Sequence, residues 1–391
     1  MGQDADVGVF YSGHTIECFS PNKYFSIKSY RFSLRVSSTL AWSEGADMDS
    51  LESIAATPAA KTAYIQNAIR AASVELRKDY PILQRQSAIG AGILCFALLG
   101  MTVSAVLYIN QVIPWWVCVL ANAFFASLTH ELEHDLIHYL YFRKNRIAHN
   151  LMLGLAWLAR PTTINPWVRR QHHFNHHKFS GTEADLEERT LSNGTPWGVL
   201  RFFMICDLML STSVMIAREA GWKNKVRLLL TGARAYVPLT VLSWSIWYVF
   251  LVFHTADYFN GAPGFYAETH GLSAWVAVMN TLVVVLIAPN VLRSFCLHFI
   301  TSNIHYYGDV DPKNFITQTQ VLNNPWFWPL QLFCANFGST HGIHHFVVGE
   351  PFYVRQITAR HAHQAMREMG VRFNDVASFF RANRWGVVET P

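Results

Sequence analysis

The histidines of this chain stand at spacings that suit metal binding. Residues 130–138 read HELEHDLIH. This contains H-E-x-x-H, in which two helical histidines hold zinc and the glutamate, here Glu131, acts as general base. Within it His130, His134 and His138 recur every four residues, so on a helix they form one stripe. Residues 172–177 read HHFNHH and residues 341–345 read HGIHH, and between them CLHFITSNIHYYGD carries His298 and His305. In H-x-x-H-H on a helix, positions i, i+3 and i+4 share a face and offer three imidazoles to one centre. HGIHH supplies that triple as His341, His344 and His345. HHFNHH supplies it as His173, His176 and His177, or in a second register built on His172, His176 and His177; spacing does not choose between them.

A solitary histidine in an apolar segment is ordinarily a hydrogen-bonded core residue, and His14, His254, His270, His361 and His363 are read that way, as are His149 and His298. The clustered ones exceed the three protein ligands of a catalytic zinc about threefold and suggest two metals. Imidazole suits zinc, copper, iron and nickel alike. Zinc has no redox chemistry, whereas iron can activate O₂ and attack an unactivated C–H bond, so the metal depends on where the site lies.

The elements that must position these residues belong to a membrane protein. Of 391 residues 51% are apolar and only 15% charged, against about 25% charged in soluble proteins. The net charge of +5 is modest and lies on one side of the expected topology, which argues against nucleic-acid binding. Six scattered cysteines without a C-x-x-C pair argue against disulfides, zinc ribbons and cysteine-held iron–sulfur centres. Residues 1–47 lack the apolar core of a signal peptide and read as a disordered leader or a mis-assigned start. Residues 48–87 read as an amphipathic N-terminal region and 88–391 as the membrane domain.

Apolar runs at Ala88–Tyr108, Ile113–Leu128, Tyr236–Phe253 and Leu272–Leu292 predict an all-α protein with four transmembrane helices in two hairpins. Leu151–Ala159, Trp197–Ala217 and Trp326–Phe337 are too short or interrupted to span and read as interfacial or re-entrant. The segment from Phe142 to Ala235 is rich in Lys and Arg, while the turn Asn110–Val112 and the loop Thr255–Gly271 have none. The positive-inside rule then puts the basic loop and both termini in the cytoplasm. Every histidine cluster falls on that side, in a helical cap at the end of the bundle where an acyl chain could enter.

The pattern HELEH … HHFNHH … HGIHH, with KFSGTEADLEE after the second box, resembles the integral-membrane fatty-acid desaturase and hydroxylase superfamily, including the alkane hydroxylases. The resemblance runs from about residue 85 to about 355. It implies two iron ions held by histidines, O₂ as co-substrate, a long-chain acyl substrate in the bilayer, and electrons from a separate ferredoxin, rubredoxin or cytochrome-type donor. Carried over by position, the ligands are His130, His134, His173, His176, His177, His305, His341, His344 and His345, with His138 and His172 as additional candidates. No catalytic residue beyond the ligands is assigned. The first box resembles alkane hydroxylases and the second resembles desaturases. Thr301 stands where an asparagine sometimes precedes the extra histidine, and whether Asn303 substitutes for it is left open by the sequence. The mixture leaves desaturation, hydroxylation and decarboxylation to a terminal alkene open.

Glu131, Glu133, Asp135, Asp185, Asp309 and Asp311 lie close in sequence to ligands and could orient them. Arg169 and Arg170 fit either a fatty-acid carboxylate or the positive-inside bias. Two other classes compete. A membrane zinc protease needs a third ligand on a distant span, and the last two spans hold no acid. A metal transporter keeps its site near the bilayer midplane, not at one end.

Overall fold

The computed structural model describes residues 57–260 and 268–386; the expected leader, residues 1–47, lies outside them. Every regular element is helical, and among the described residues only isolated bridges form, His305–Thr319 and Val321–Phe373.

Helix α1 (Pro58–Asp79) begins where the Thr57 side chain accepts from the Ala60 N–H at 3.2 Å, a side-chain cap followed by Pro at the first position. Its buried face is Thr62, Ile65, Ile69, Ser73 and Leu76, the three-and-four spacing of an amphipathic helix. Ile65 and Ile69 pack with Ile343, Phe346, Ala362 and Met366, so this N-terminal helix closes over the third histidine box and the late helix that follows it. Burial of each such aliphatic side chain contributes about 1.5–3 kcal/mol. Arg77 and Glu350 at 2.6 Å tie down its far end.

Helices α2 (Gln86–Ile109) and α3 (Trp115–Ile137) form the first hairpin. α4 (Arg146–Leu158) packs Met152, Leu153 and Ala156 against Leu132 and Leu136 of α3. α5 (Pro166–Phe179) and the short α6 (Leu186–Thr190) carry the second box and the acidic run behind it. α7 (Val199–Cys206), α8 (Leu208–Arg218) and α9 (Trp222–Tyr236) follow as short helices, and then α10 (Leu239–Phe259). α11 (Ser273–Leu282) and α12 (Ala288–Ile304) are joined without a break by one wide π turn, Val283–Ile287. A π turn shifts the helical ladder by one residue. The Asn122 side-chain amide of α3 donates to the Val285 carbonyl inside it at 2.7 Å, satisfying a group the altered ladder exposes. The chain ends with α13 (Trp328–Leu332), α14 (Phe337–Phe346), α15 (Phe352–Glu368) and α16 (Ala377–Phe380).

Among the described residues three helical segments are long and apolar enough to cross a bilayer: α2, α10 and the continuous Ser273–Ile304. The sequence reading expected four. The missing one is α3, because its apolar run holds Asn122 and passes directly into His130, Glu131, Glu133, His134 and Asp135, which are buried along with the rest of its last two turns. α3 as a whole has 23 residues and rises about 34 Å, so it reaches across about 30 Å of hydrocarbon only with its polar turns included.

Candidate metal centre

Each histidine box sits on a helix whose local sequence fixes its phase. α5 starts at Asn165, whose side chain accepts from the Trp167 N–H, with Pro166 at the first position. The turn that ends it passes through Gly181 at φ 77°, where a Cβ would lie 2.7 Å from the Tyr306 carbonyl oxygen, so the tight return that brings α6 back under α5 requires glycine. Asp185 then caps α6, accepting from the Glu188 N–H at 3.2 Å. α14 lies so close to α12 that a Cβ at Gly338 would meet Ile300 at 2.9 Å.

Two groups of imidazoles result. His134, His138, His173 and His344 converge in one, and His177 joins them, its Nε2 3.1 Å from that of His173 and 3.0 Å from that of His344. His176, His305, His341 and His345 converge in the other. There the His345 Nε2 lies 3.3 Å from that of His176, 3.2 Å from that of His305 and 3.1 Å from that of His341. Imidazole nitrogens bonded to one cation at about 2.1 Å are separated by about 3.0 Å on an octahedral edge and 3.4 Å on a tetrahedral one, so these spacings suit a shared ion at each group. The residues fit a two-metal site. Imidazole donors alone are compatible with iron and do not select it.

The structure selects the register of the second box: His173, His176 and His177 point inward, while His172 faces the cavity outside both groups. In the first box His138 is a member and His130 is not. His130 stands one turn earlier on α3, beside Arg160, whose guanidinium donates toward its Nδ1 at 3.4 Å. The stripe was legible; which two of its three members reach the centre depends on where α3 enters the cage.

The outward nitrogens are held by an acidic run that the sequence reading only partly used. His176 Nδ1 donates to Asp185 at 2.8 Å and His173 Nδ1 to Glu187 at 3.0 Å, while His305 Nδ1 donates to the Thr301 carbonyl at 3.0 Å with a Glu188 carboxylate oxygen also at 3.0 Å. His345 Nδ1 donates to the Gln318 side-chain oxygen at 3.3 Å. Such partners fix the ring and leave Nε2 for the metal. Burial alone would depress the His176 imidazolium; Asp185 and then Glu188 outweigh it and raise it to about 10. Burial likewise favours protonated Glu187, but His173 and Arg169 hold its carboxyl well below the ordinary range. His177 is pushed down by burial and by the neighbouring imidazoles of His173 and His176. Glu187 and Glu188 were the missed residues, and the signal was present in EADLEE, residues 183–188, just beyond the helix that carries the second box.

The other acidic candidates do different work. Glu133 joins Arg160 and Arg169, and Glu131 and Asp135 both meet Arg355, pinning α15 to α3. Asp309 accepts from the Trp385 and Gly386 N–H groups, and Asp311 from that of Lys313, both away from the cage. Arg170 stacks on Tyr139 and donates to His149, which confirms His149 as a structural histidine. Asn303 faces Arg201, and Thr301 is the residue beside His305.

A cavity of about 130 Å³ runs along both groups. His134, His173, His176, His305 and His341 form one wall; Leu208, Met215, Leu228 and Tyr236 form an apolar one.

A family profile for fatty acid desaturases matches residues 110–377, well over half of the sequence. The chain belongs to the fatty acid desaturase family, whose membership implies an oxidoreductase acting on fatty acyl substrates in a membrane. No protein with a curated description matches it.

Proposed function

We propose that this protein is an O₂-dependent di-iron membrane oxidase of long-chain acyl substrates, performing a desaturase-type reaction. The observation that carries the reading is the pair of imidazole groups at contact spacing beside an apolar cavity. His134, His138, His173, His177 and His344 would hold one iron, and His176, His305, His341 and His345 the other. Bound iron supplies the one-electron chemistry with O₂ that an unactivated methylene requires. The protein binds the chain along Leu208, Met215, Leu228 and Tyr236, excludes water, and keeps His173, His176, His305 and His345 in the tautomer that presents Nε2.

α3 serves as the fourth span, its polar third forming the base of a cytoplasmic cap, since the basic residues Arg143, Lys144, Arg146, Lys178, Lys223 and Lys225 follow it. Electrons arrive from a separate ferredoxin, rubredoxin or cytochrome-type protein. Hydroxylation and alkene-forming decarboxylation use the same centre and differ in which bond the cavity presents. The zinc-protease reading loses support because His130 and His134 share no group, and Glu131 faces Arg355 at 3.3 Å.

Elemental mass spectrometry of gently solubilised protein tests the proposal. Near two irons per chain, with oxidised product from candidate fatty acids, is the expected result. One zinc and no iron after iron-supplemented expression would defeat it.

A further inference from the structure

Among the described residues four arginines are fully buried: Arg160, Arg201, Arg293 and Arg355. Three of them are accounted for inside the protein. Arg160 shares Glu133 with Arg169, and Arg355 meets both Glu131 and Asp135. Arg201 donates to the carbonyls of Thr195 and Ser302 and to the Asn303 side chain, and does not line the cavity beside the histidines. Arg293 is different. No carboxylate among the described residues lies within ion-pair distance of it. Its contacts are two neutral groups on its own helix, Ser294 at 2.8 Å and Asn290 at 3.4 Å, and its Nη1 has no partner. It lines the same cavity as the histidine groups and lies within the apolar segment Ser273–Ile304.

A guanidinium buried at membrane depth is costly unless something of opposite charge meets it, and an intramembrane charge facing a cavity marks a ligand path. Arg160 and Arg169 already share Glu133, so the surplus positive charge at this end of the cavity is that of Arg293. We infer that Arg293 receives the carboxylate of an unesterified fatty acid, so that the substrate enters head-first as the free acid. The head group is added to the acyl-chain reading above and rests on it. A carboxylate matches the planar fork of arginine with two parallel N–H···O bonds. A thioester carbonyl is neutral and leaves the charge uncompensated, and a carrier head group would need to pass the cage to reach a fully buried residue. From Arg293 the wall continues through Leu297, His298 and Thr301 to His305, so an acid held there lays its chain along the cage. The tail then leaves between Leu208, Met215, Leu228 and Tyr236.

The test is equilibrium binding of radiolabelled hexadecanoate to the full-length, metal-loaded protein in nanodiscs, with empty nanodiscs as blank. Hexadecan-1-ol and hexadecanoyl-CoA serve as competitors. Unaltered protein should prefer the acid over both by about 10- to 100-fold, the range set by a charge-assisted hydrogen bond. Arg293→Met should abolish that preference without changing metal content, and Arg293→Lys should restore part of it. Equal affinity for acid and alcohol in the unaltered protein, or tightest binding of the CoA thioester, overturns the inference whether or not the variants fold. Metal content separates the two readings. Two irons with no acid preference leaves the oxidase reading intact and removes the head-group assignment. Acid preference in a protein holding one zinc does the reverse.

Discussion

In the group around His345, three of four imidazoles pass their outward proton to a protein oxygen: His176 to Asp185, His305 to the Thr301 carbonyl with Glu188 beside it, and His345 to Gln318. In the group around His344, His173 does so through Glu187, whereas the Nδ1 atoms of His134 and His344 have no hydrogen-bond partner. The nearest carboxylate oxygen to His134 Nδ1 is that of Asp135, at 4.0 Å. The ligand type is the same in both, so the difference lies in what stands behind the ligands. Two of the three braces of the His345 group involve one short element, α6, whose capping residue Asp185 serves its own helix and His176 at once. Orientation by an outer partner typically carries 10–100-fold in metal affinity. The His345 group should therefore hold its ion more tightly and the His344 group should be the labile half.

The severest way to break the comparison is to remove one ligand from each half. His344→Ala and His176→Ala should both abolish turnover. Elemental analysis should find about one metal per chain retained in His344→Ala, where the braced half survives, and less in His176→Ala. Retained turnover in either variant would refute the cage. Chelator dialysis comes next: stoichiometry should pass through a plateau near one metal per chain, and a single-step loss would show the halves to be equivalent.

Glu188→Gln and Glu187→Gln sharpen the contrast further. Each keeps an acceptor and removes a charge, and each should weaken metal binding in its own half by about 10–100-fold, read by competition with a chelator. The smallest effect belongs to His130→Ala, which should leave metal stoichiometry unchanged, whereas His138→Ala should lower it by one. The reverse outcome would restore His130 as the ligand.

The sequence made the boxes plain because clustered histidines have few other uses, and the expectation that they share one side rested on the Lys and Arg distribution. Which members of each stripe reach the centre was not legible, since His130 and His138 share a face of α3 and only the depth at which α3 meets α5 and α14 separates them. The fourth expected span was the least legible for a related reason. α3 changes solvent midway, and a composition window averages its apolar and polar halves. Arg293 was passed over because one arginine in a long apolar run attracts notice only once its neighbours prove neutral.

The π turn at Val283–Ile287 joins a helix with no buried residue, α11, to one lined with them, α12. One residue advances a helix by about 100°, so the extra residue acts as a phase coupling between two otherwise independent rotors. The outer half can be tuned to bilayer thickness or neighbouring lipid without turning Arg293, His298 or Thr301 away from the cavity. A one-residue deletion there would do the opposite, aligning the two halves on a common phase and forcing either the lipid contacts or the cavity wall to rotate.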